Sequence, residues 1–286
     1  MAEKITFVVD RLDRVATGLE RYANELIQHV RSAPECEWET EILELRPILE
    51  AQGRVGRVLS RITGLDIDRM GVGGDLIHCL VPLPVKTARP LVATVHDVIP
   101  LIFPGTYSLT AVVMMNAYMQ VLLAQRAHLV ANSQCTASDA VRLLGAHWDR
   151  ITITPLGISA HIKPKSRDQI AQAKKKYGLV APYFLFLGAM NRRKNLARAL
   201  EAFARLVRTH SKHRFALAGR TDWGGEEVLA HIERLGISDS IDWLEYVDDD
   251  DLPALLGGSV ALVYPSLYEG FGFPILEAMA AGTLVV

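Results

Sequence analysis

Short apolar runs alternate with helically spaced apolar faces along almost the whole chain. The run KITFVV at 4–9 predicts a strand. The segment after it, TGLERYANELIQHV, places Leu19, Tyr22, Ala23, Leu26, Ile27 and Val30 on one helical face. Thr17 and Glu20, three positions apart at its start, predict a capping box. WETEILEL, DLIHCL, LVATVHDV, HLVANS and RITITPLG predict five further strands. A polar, lysine-rich break follows at 158–182. The alternation then restarts with YFLFLG, RFALAG, SIDWLEYV and VALVYPS as strands, and with NLARALEAFARLVRTH, EEVLAHIERLG, DLPALLGG and ILEAMAAG as helices. Repeated β–α units imply parallel sheets with helices on both faces, an α/β architecture. Two such series predict two domains, 1–165 and 183–286, joined by a linker at 166–182. The final TLVV predicts a buried central strand.

Composition narrows the function classes. Half of the 286 residues are hydrophobic, enough for two cores. Lys+Arg is 31 and Asp+Glu is 32, which gives no reason to expect nucleic acid as a partner. Cys36, Cys79 and Cys135 lie far apart and form no zinc spacing, so a reducing cytoplasm is the expected location. The start, MAEKITFVVD, has too short an apolar run for a signal peptide. The most apolar stretch, AVVMMNAYMQVLLAQRAHLV, is broken by Asn116, Gln120, Gln125 and Arg126 and predicts a buried helix, not a membrane span.

In open parallel sheets ligands bind beyond the carboxyl ends of the strands, so the loops there carry the candidate chemistry. After VALVYPS comes LYEGFGFPILEAMAAG. Gly270 and Gly272 permit close backbone approach, and Pro274 suits the first turn of a helix, with Glu277 in that turn. A helix N-terminus favours phosphate. Glu269 and Glu277 are acceptors suited to sugar and ribose hydroxyls. An equal reading on physics alone is that Glu277 caps its helix and Glu269 is solvated. After YFLFLG, the cations Arg192, Arg193 and Lys194 suit a diphosphate, or form an ordinary solvated turn. His96 and Asp97 follow LVATV; His96 could donate to a sugar oxygen or serve structure. Gly18 opens the first strand-to-helix turn. GVGGD (71–75) precedes a strand and so is no dinucleotide fingerprint. DID (66–68) and DDDD (248–251) read as non-metal, the first for lack of a strand before it, the second as a helix start.

Together, TGLERYANEL, HDVIPL, NSQCTASDAVR, ITPLGI, RKNL and SLYEGFGFPILEAMAAGTLVV resemble the family-4 retaining glycosyltransferases of the GT-B type. The resemblance runs nearly the length of the chain, and E-x(7)-E around G-F-G-F-P is its most specific part. It implies two Rossmann-like domains facing a cleft, the second binding a nucleotide sugar and the first a glycan or lipid-linked acceptor. It implies transfer with retention and no metal or other cofactor. On this resemblance Glu277 would hold the ribose, Glu269 the donor sugar, and Lys194 with Arg193 the diphosphate. Gly270, Phe271 and Gly272 would line the donor, His96 would contact the sugar, and Gly18 would approach phosphate or acceptor. His96, Glu269 and Lys194 are thus the expected catalytic residues.

Many members carry an arginine directly after the strand-ending glycine. Ala189 stands there in this chain, leaving Arg192 or Arg193 as substitutes. HDVIPL with RKN leans towards GDP-mannose. A nucleotide-sugar epimerase and a non-catalytic remnant that only binds the nucleotide sugar are the rival readings. The family continues beyond TLVV, so the expectation is a truncated chain with an incomplete second domain and a tendency to associate. Arg46, Arg54, Arg57, Arg61 and Arg69, spread among apolar residues at 45–70, suggest contact with an anionic membrane face; a mixed-charge exposed helix is the plain alternative.

Overall fold

A computed structural model describes residues 3–12, 18–33, 38–209, 212–219 and 225–286. The chain divides into two compact units, Met1–Leu156 and Gly157–Val286. Thr17 of the expected capping box, and Cys36, lie outside the described residues.

The first unit contains strands β1 (Lys4–Val9), β2 (Glu39–Glu44), β3 (Leu65–Asp66), β4 (Leu76–Cys79), β5 (Val85–Lys86), β6 (Leu91–Val95), β7 (His128–Ala131) and β8 (Ile151–Ile153). Its helices are α1 (Gly18–Ser32), α2 (Leu45–Ala51), α3 (Arg54–Thr63), α4 (Ile99–Ile102), α5 (Leu109–Ala124) and α6 (Gln134–Leu144). Six strands form one parallel sheet in the order β2-β1-β4-β6-β7-β8, while β3 pairs with β5 apart from it. Side-chain alternation along β1 buries both faces. Val8 joins Ile77, Ala93, Val95 and Leu122 on one side. Phe7 and Val9 join Ala23, Ile27 and Leu80 on the other. Each such large buried side chain contributes roughly 1.5–3 kcal/mol. Local signals agree with the elements: Ser133 caps α6 by accepting from Thr136 N at 3.1 Å, and Gly145 ends it in the left-handed region. The chain winds one way from β1 to β2 and the other way from β1 to β4. A crevice therefore opens at the carboxyl ends of β1 and β4.

The second unit contains β9 (Tyr183–Leu187), β10 (Arg214–Ala218), β11 (Ile241–Glu245) and β12 (Ala261–Leu262), with α7 (Arg167–Lys176), α8 (Leu196–Thr209), α9 (Gly225–Leu235), α10 (Leu252–Gly258) and α11 (Phe273–Ala280). The strands are parallel in the order β11-β10-β9-β12. Leu185, Ala216 and Ala218 face Leu255, Leu262 and Ala278. Phe186, Phe215 and Leu217 face Leu200 and Phe203 of α8 on the opposite side. Winding reverses between β9 and β12, and their carboxyl ends form the second crevice.

Four expectations need correction. The segment 166–182, expected as a linker, carries α7, which belongs to the second unit together with residues 157–165. Ser166 and Gln169 form a capping box at its start, Ala173 is buried, and Lys176 pairs with Asp248 and Asp251 at 2.5 Å each. TLVV is not a buried central strand. Val285 makes a single parallel bridge to Leu262, Leu284 and Val286 are exposed, and Thr283 is buried. Glu277 lies past the first turn of α11. The apolar stretch from 111 to 130 is helix only to Ala124, with Met119, Val121 and Leu122 buried; Leu109 and Val113 of the same helix are exposed.

Candidate functional site

The loops after β9 and β12 bring a compact charged cluster to the second crevice. After β9 the chain makes a 3₁₀ turn at Arg192–Lys194, begun by Asn191, whose side chain accepts from Lys194 N at 3.3 Å. Asn195 ends the turn at φ 54° and donates to Pro265 O at 3.1 Å, tying the turn to the loop after β12. Lys194 and Arg193 are buried. Lys194 Nζ lies 2.7 Å from Glu269 Oε1 and donates to Tyr264 Oη at 2.6 Å, with its ammonium 4.7 Å from the Tyr264 ring centroid. Arg193 lies 2.8 Å from the same Glu269 oxygen and also donates to Tyr268 O.

Two cations and one carboxylate leave one positive charge in this cluster. Burial pulls the Lys194 ammonium down from its ordinary pKa and Arg193 adds to that, while Glu269 opposes it. Burial pushes the Glu269 carboxyl up, but Lys194, Ser266 and Arg193 together outweigh it and hold it below the ordinary carboxylate range. Such a cluster is a poor device for stability, since desolvating charges is costly even when they are paired. It is a good device for meeting an anion with groups already in place.

Glu269 leads into the glycine turn. Gly270 and Gly272 are buried, and Phe271 and Phe273 pack at 5.3 Å between ring centroids. Gly272 caps α11 at φ 91°, a backbone that favours glycine, and Pro274 occupies the first turn. Glu277 stands on α11 in a half-buried position.

Of the three expected cations, Arg192 goes elsewhere. It is exposed and pairs with Glu227 of α9. Arg193 is therefore the cation that joins Lys194. Tyr264 belongs to the cluster but is not among the residues expected from sequence. The only signal was a tyrosine at the end of an apolar strand, and that pattern reads first as core. Gly188, which ends β9 at φ 131°, lies where an added Cβ would come 3.7 Å from Lys194 Cε.

In the first unit His96 follows β6. Its Nε2 is 3.1 Å from Leu80 O, just beyond β4. A carbonyl only accepts, so Nε2 carries the proton. Burial lowers the pKa of the ring against this hydrogen bond, so the neutral ring presents Nδ1 as an acceptor. With Nε2 given to Leu80, a donor role for His96 would need a proton on Nδ1 as well. Asp97 accepts from Ile99 N at 2.9 Å and shapes the entry to α4. Gly18 is the exposed first residue of α1; a Cβ there would meet nothing within 4 Å.

Four acids of the 66–68 and 248–251 runs are held by neighbouring groups. Asp68 accepts from Thr87 at 2.8 Å and Ala88 at 2.7 Å, and Asp66 pairs with Arg69 at 3.0 Å. Asp248 and Asp251 bind Lys176. A cavity of about 340 Å³, lined by Arg126, His147 and Arg150 among others, lies where β7 and β8 begin, at the other end of that sheet from His96. Among the described residues no helix is long and apolar enough to cross a membrane.

Residues 166–286 match the family model of the glycosyl transferases group 1. The chain is 34% identical over 206 residues to the O-antigen chain mannosyltransferase B of Escherichia coli, covering 71% of this chain and 54% of that protein. It thus spans about half the length, or less, of the first curated relatives it matches. WaaG, a glycosyltransferase involved in lipopolysaccharide biosynthesis, aligns with a TM-score of 0.72 over 98% of this chain and 80% of its own, at 17% identity. HepE of Anabaena in complex with UDP-glucose aligns with a TM-score of 0.67 over 99% of this chain and 79% of its own, at 18% identity. The fold is of the GT-B glycosyltransferase type. Over residues 166–286 the chain belongs to the group 1 glycosyl transferases.

Proposed function

We propose that the protein transfers a hexose from a nucleoside-diphosphate sugar to a glycan or lipid-linked acceptor. In this reading the configuration is retained, no metal is used, and the donor is GDP-mannose. The observation that carries it is the buried Arg193–Glu269–Lys194 cluster at the crevice between β9 and β12. The mannosyltransferase relative supports the choice of sugar, and the UDP-glucose complex of HepE supports a nucleotide-sugar donor.

The roles follow from charge. A departing nucleoside diphosphate gains negative charge as the sugar ring becomes cationic. Lys194 and Arg193 meet that charge, assisted by the N-terminus of α11. Glu269, released in part from its cations when the diphosphate takes them, accepts from donor-sugar hydroxyls. Glu277 accepts from the ribose. Neutral His96 accepts from a sugar hydroxyl through Nδ1. With the phosphate charge met in this way, no metal ion is required.

We place a peripheral contact with the cytoplasmic membrane face at α3. Its residues Val58, Leu59 and Ile62 are 52%, 59% and 52% exposed, and the helix carries arginines and no acid. Arg46 and Arg69, by contrast, are paired with Asp10 and Asp66 and contribute less.

Incubation with GDP-mannose, UDP-glucose and other nucleotide sugars, with assay for free nucleoside diphosphate in the presence and absence of glycan acceptors, tests the reading. Acceptor-dependent release from GDP-mannose is expected. Isomerised donor with no acceptor would replace this reading with an epimerase.

A further inference from the structure

We propose that Tyr22 is the residue that positions His96. The proposal rests on the reading of His96 as a sugar contact and names what holds it. Tyr22 lies on α1, and its ring meets the His96 imidazole edge to face, with centroids 4.6 Å apart and planes at 82°. Its hydroxyl is 3.3 Å from Thr94 Oγ1, and Thr94 is fully buried on β6, two residues before His96. On its other side, Thr94 Oγ1 is 2.9 Å from Nε2 of His78 on β4. The chain Tyr22–Thr94–His78 therefore ties α1 to the central strands β6 and β4, the second of which borders the crevice.

This arrangement constrains His96 from three directions. Leu80 O accepts a hydrogen bond from its Nε2–H, Thr136 Oγ1 donates to its backbone oxygen at 3.2 Å, and Tyr22 sets the plane of its ring. The first two alone leave the ring able to pivot about the Leu80 hydrogen bond. Tyr22 removes that freedom, because an edge-to-face pair at this distance is directional. Burial keeps the Tyr22 phenol neutral, so its hydroxyl remains a hydrogen-bonding group in the chain. Tyr22 lies one helical turn from Gly18, so the same side chain also anchors the start of α1 beside the crevice.

The test uses ¹⁵N spectra of the histidine rings in the full chain, with His96→Gln to assign the signal. Tyr22→Phe keeps the ring and removes the hydroxyl; Tyr22→Leu removes both. The wild type should show His96 as a single Nε2–H tautomer. Tyr22→Leu should show a broadened His96 signal averaged between tautomers, and Tyr22→Phe should fall between the two. Where transfer is measurable, kcat should drop about tenfold in Tyr22→Leu with donor KM changed less than about twofold. An unchanged His96 signal in a folded Tyr22→Leu variant overturns the proposal. A loosened signal supports it even if no nucleotide sugar is turned over, an outcome that would count only against the proposed function. If Tyr22→Leu does not fold, the same comparison is made with Tyr22→Phe and Thr94→Val, and an unchanged His96 signal in both overturns the proposal.

Discussion

Lys194 and Glu269 are 75 positions apart in the chain, yet Nζ and Oε1 meet at 2.7 Å. The contact exists because β9 and β12 are neighbours at the point where the second sheet reverses its winding. A diphosphate arriving there competes with Glu269 for the ammonium. Lys194→Ala should therefore lower kcat by roughly 10²–10³, the usual cost of removing a group aimed at developing charge. Glu269→Gln should lower kcat while leaving nucleotide affinity within a few fold, because it frees both cations for phosphate. Steady-state kinetics together with nucleotide titration check both. Equal losses of affinity and turnover in Glu269→Gln would contradict its assignment to the sugar.

Glu277→Ala should weaken nucleotide binding by roughly 10–100-fold, the value of a charge-assisted hydrogen bond to a buried partner. Isothermal titration with the nucleoside diphosphate reads this directly. Unchanged affinity would remove Glu277 from the ribose.

Much of the fold was legible in the sequence, since apolar runs of strand length alternate with helical faces and, TLVV apart, each becomes an element within a few residues of its expected bounds. The contact between Lys194 and Glu269 was not legible. It depends on strand order, which periodicity does not encode. Arg192 and Arg193 are equivalent in sequence, but the 3₁₀ turn directs one to exposed Glu227 and buries the other beside Glu269. The lysines at 174–176 masked α7, although Ser166 and Gln169 carry its capping signal.

Gly219 and Gly188 end adjacent strands so closely that a Cβ on Gly219 would sit 2.1 Å from Gly188 O, and Gly219 has φ 140°. Gly219→Ala should destabilise the protein by about 2 kcal/mol or more. The displaced Gly188 should in turn disturb Lys194. Urea unfolding measures the first effect, and a change below about 0.5 kcal/mol would show that the backbone relaxes without cost.

His78 supplies a pH dependence. Burial lowers its pKa from 6.5 to about 4. Between those values the unfolded chain binds a proton that the folded chain does not. Stability should therefore fall as pH drops from 6.5 towards 4, by up to roughly 3 kcal/mol from this group. Glu269 acts lower: its depressed pKa gives stability that is present above 4.5 and lost as pH falls below it. Urea midpoints from pH 7 to 4.5 should decline in the wild type and flatten in His78→Gln. Parallel curves would place the acid sensitivity elsewhere.

Thermal stabilisation by GDP-mannose in wild type, Lys194→Ala, Arg193→Ala and Arg192→Ala tests most directly whether the buried cluster is the donor diphosphate site. A ligand bound only by the folded state raises the midpoint by mass action. The wild type and Arg192→Ala should show the same upward shift, since Arg192 is exposed and pairs with Glu227. Lys194→Ala and Arg193→Ala should lose most of it. A full shift retained in both of these variants would contradict the account.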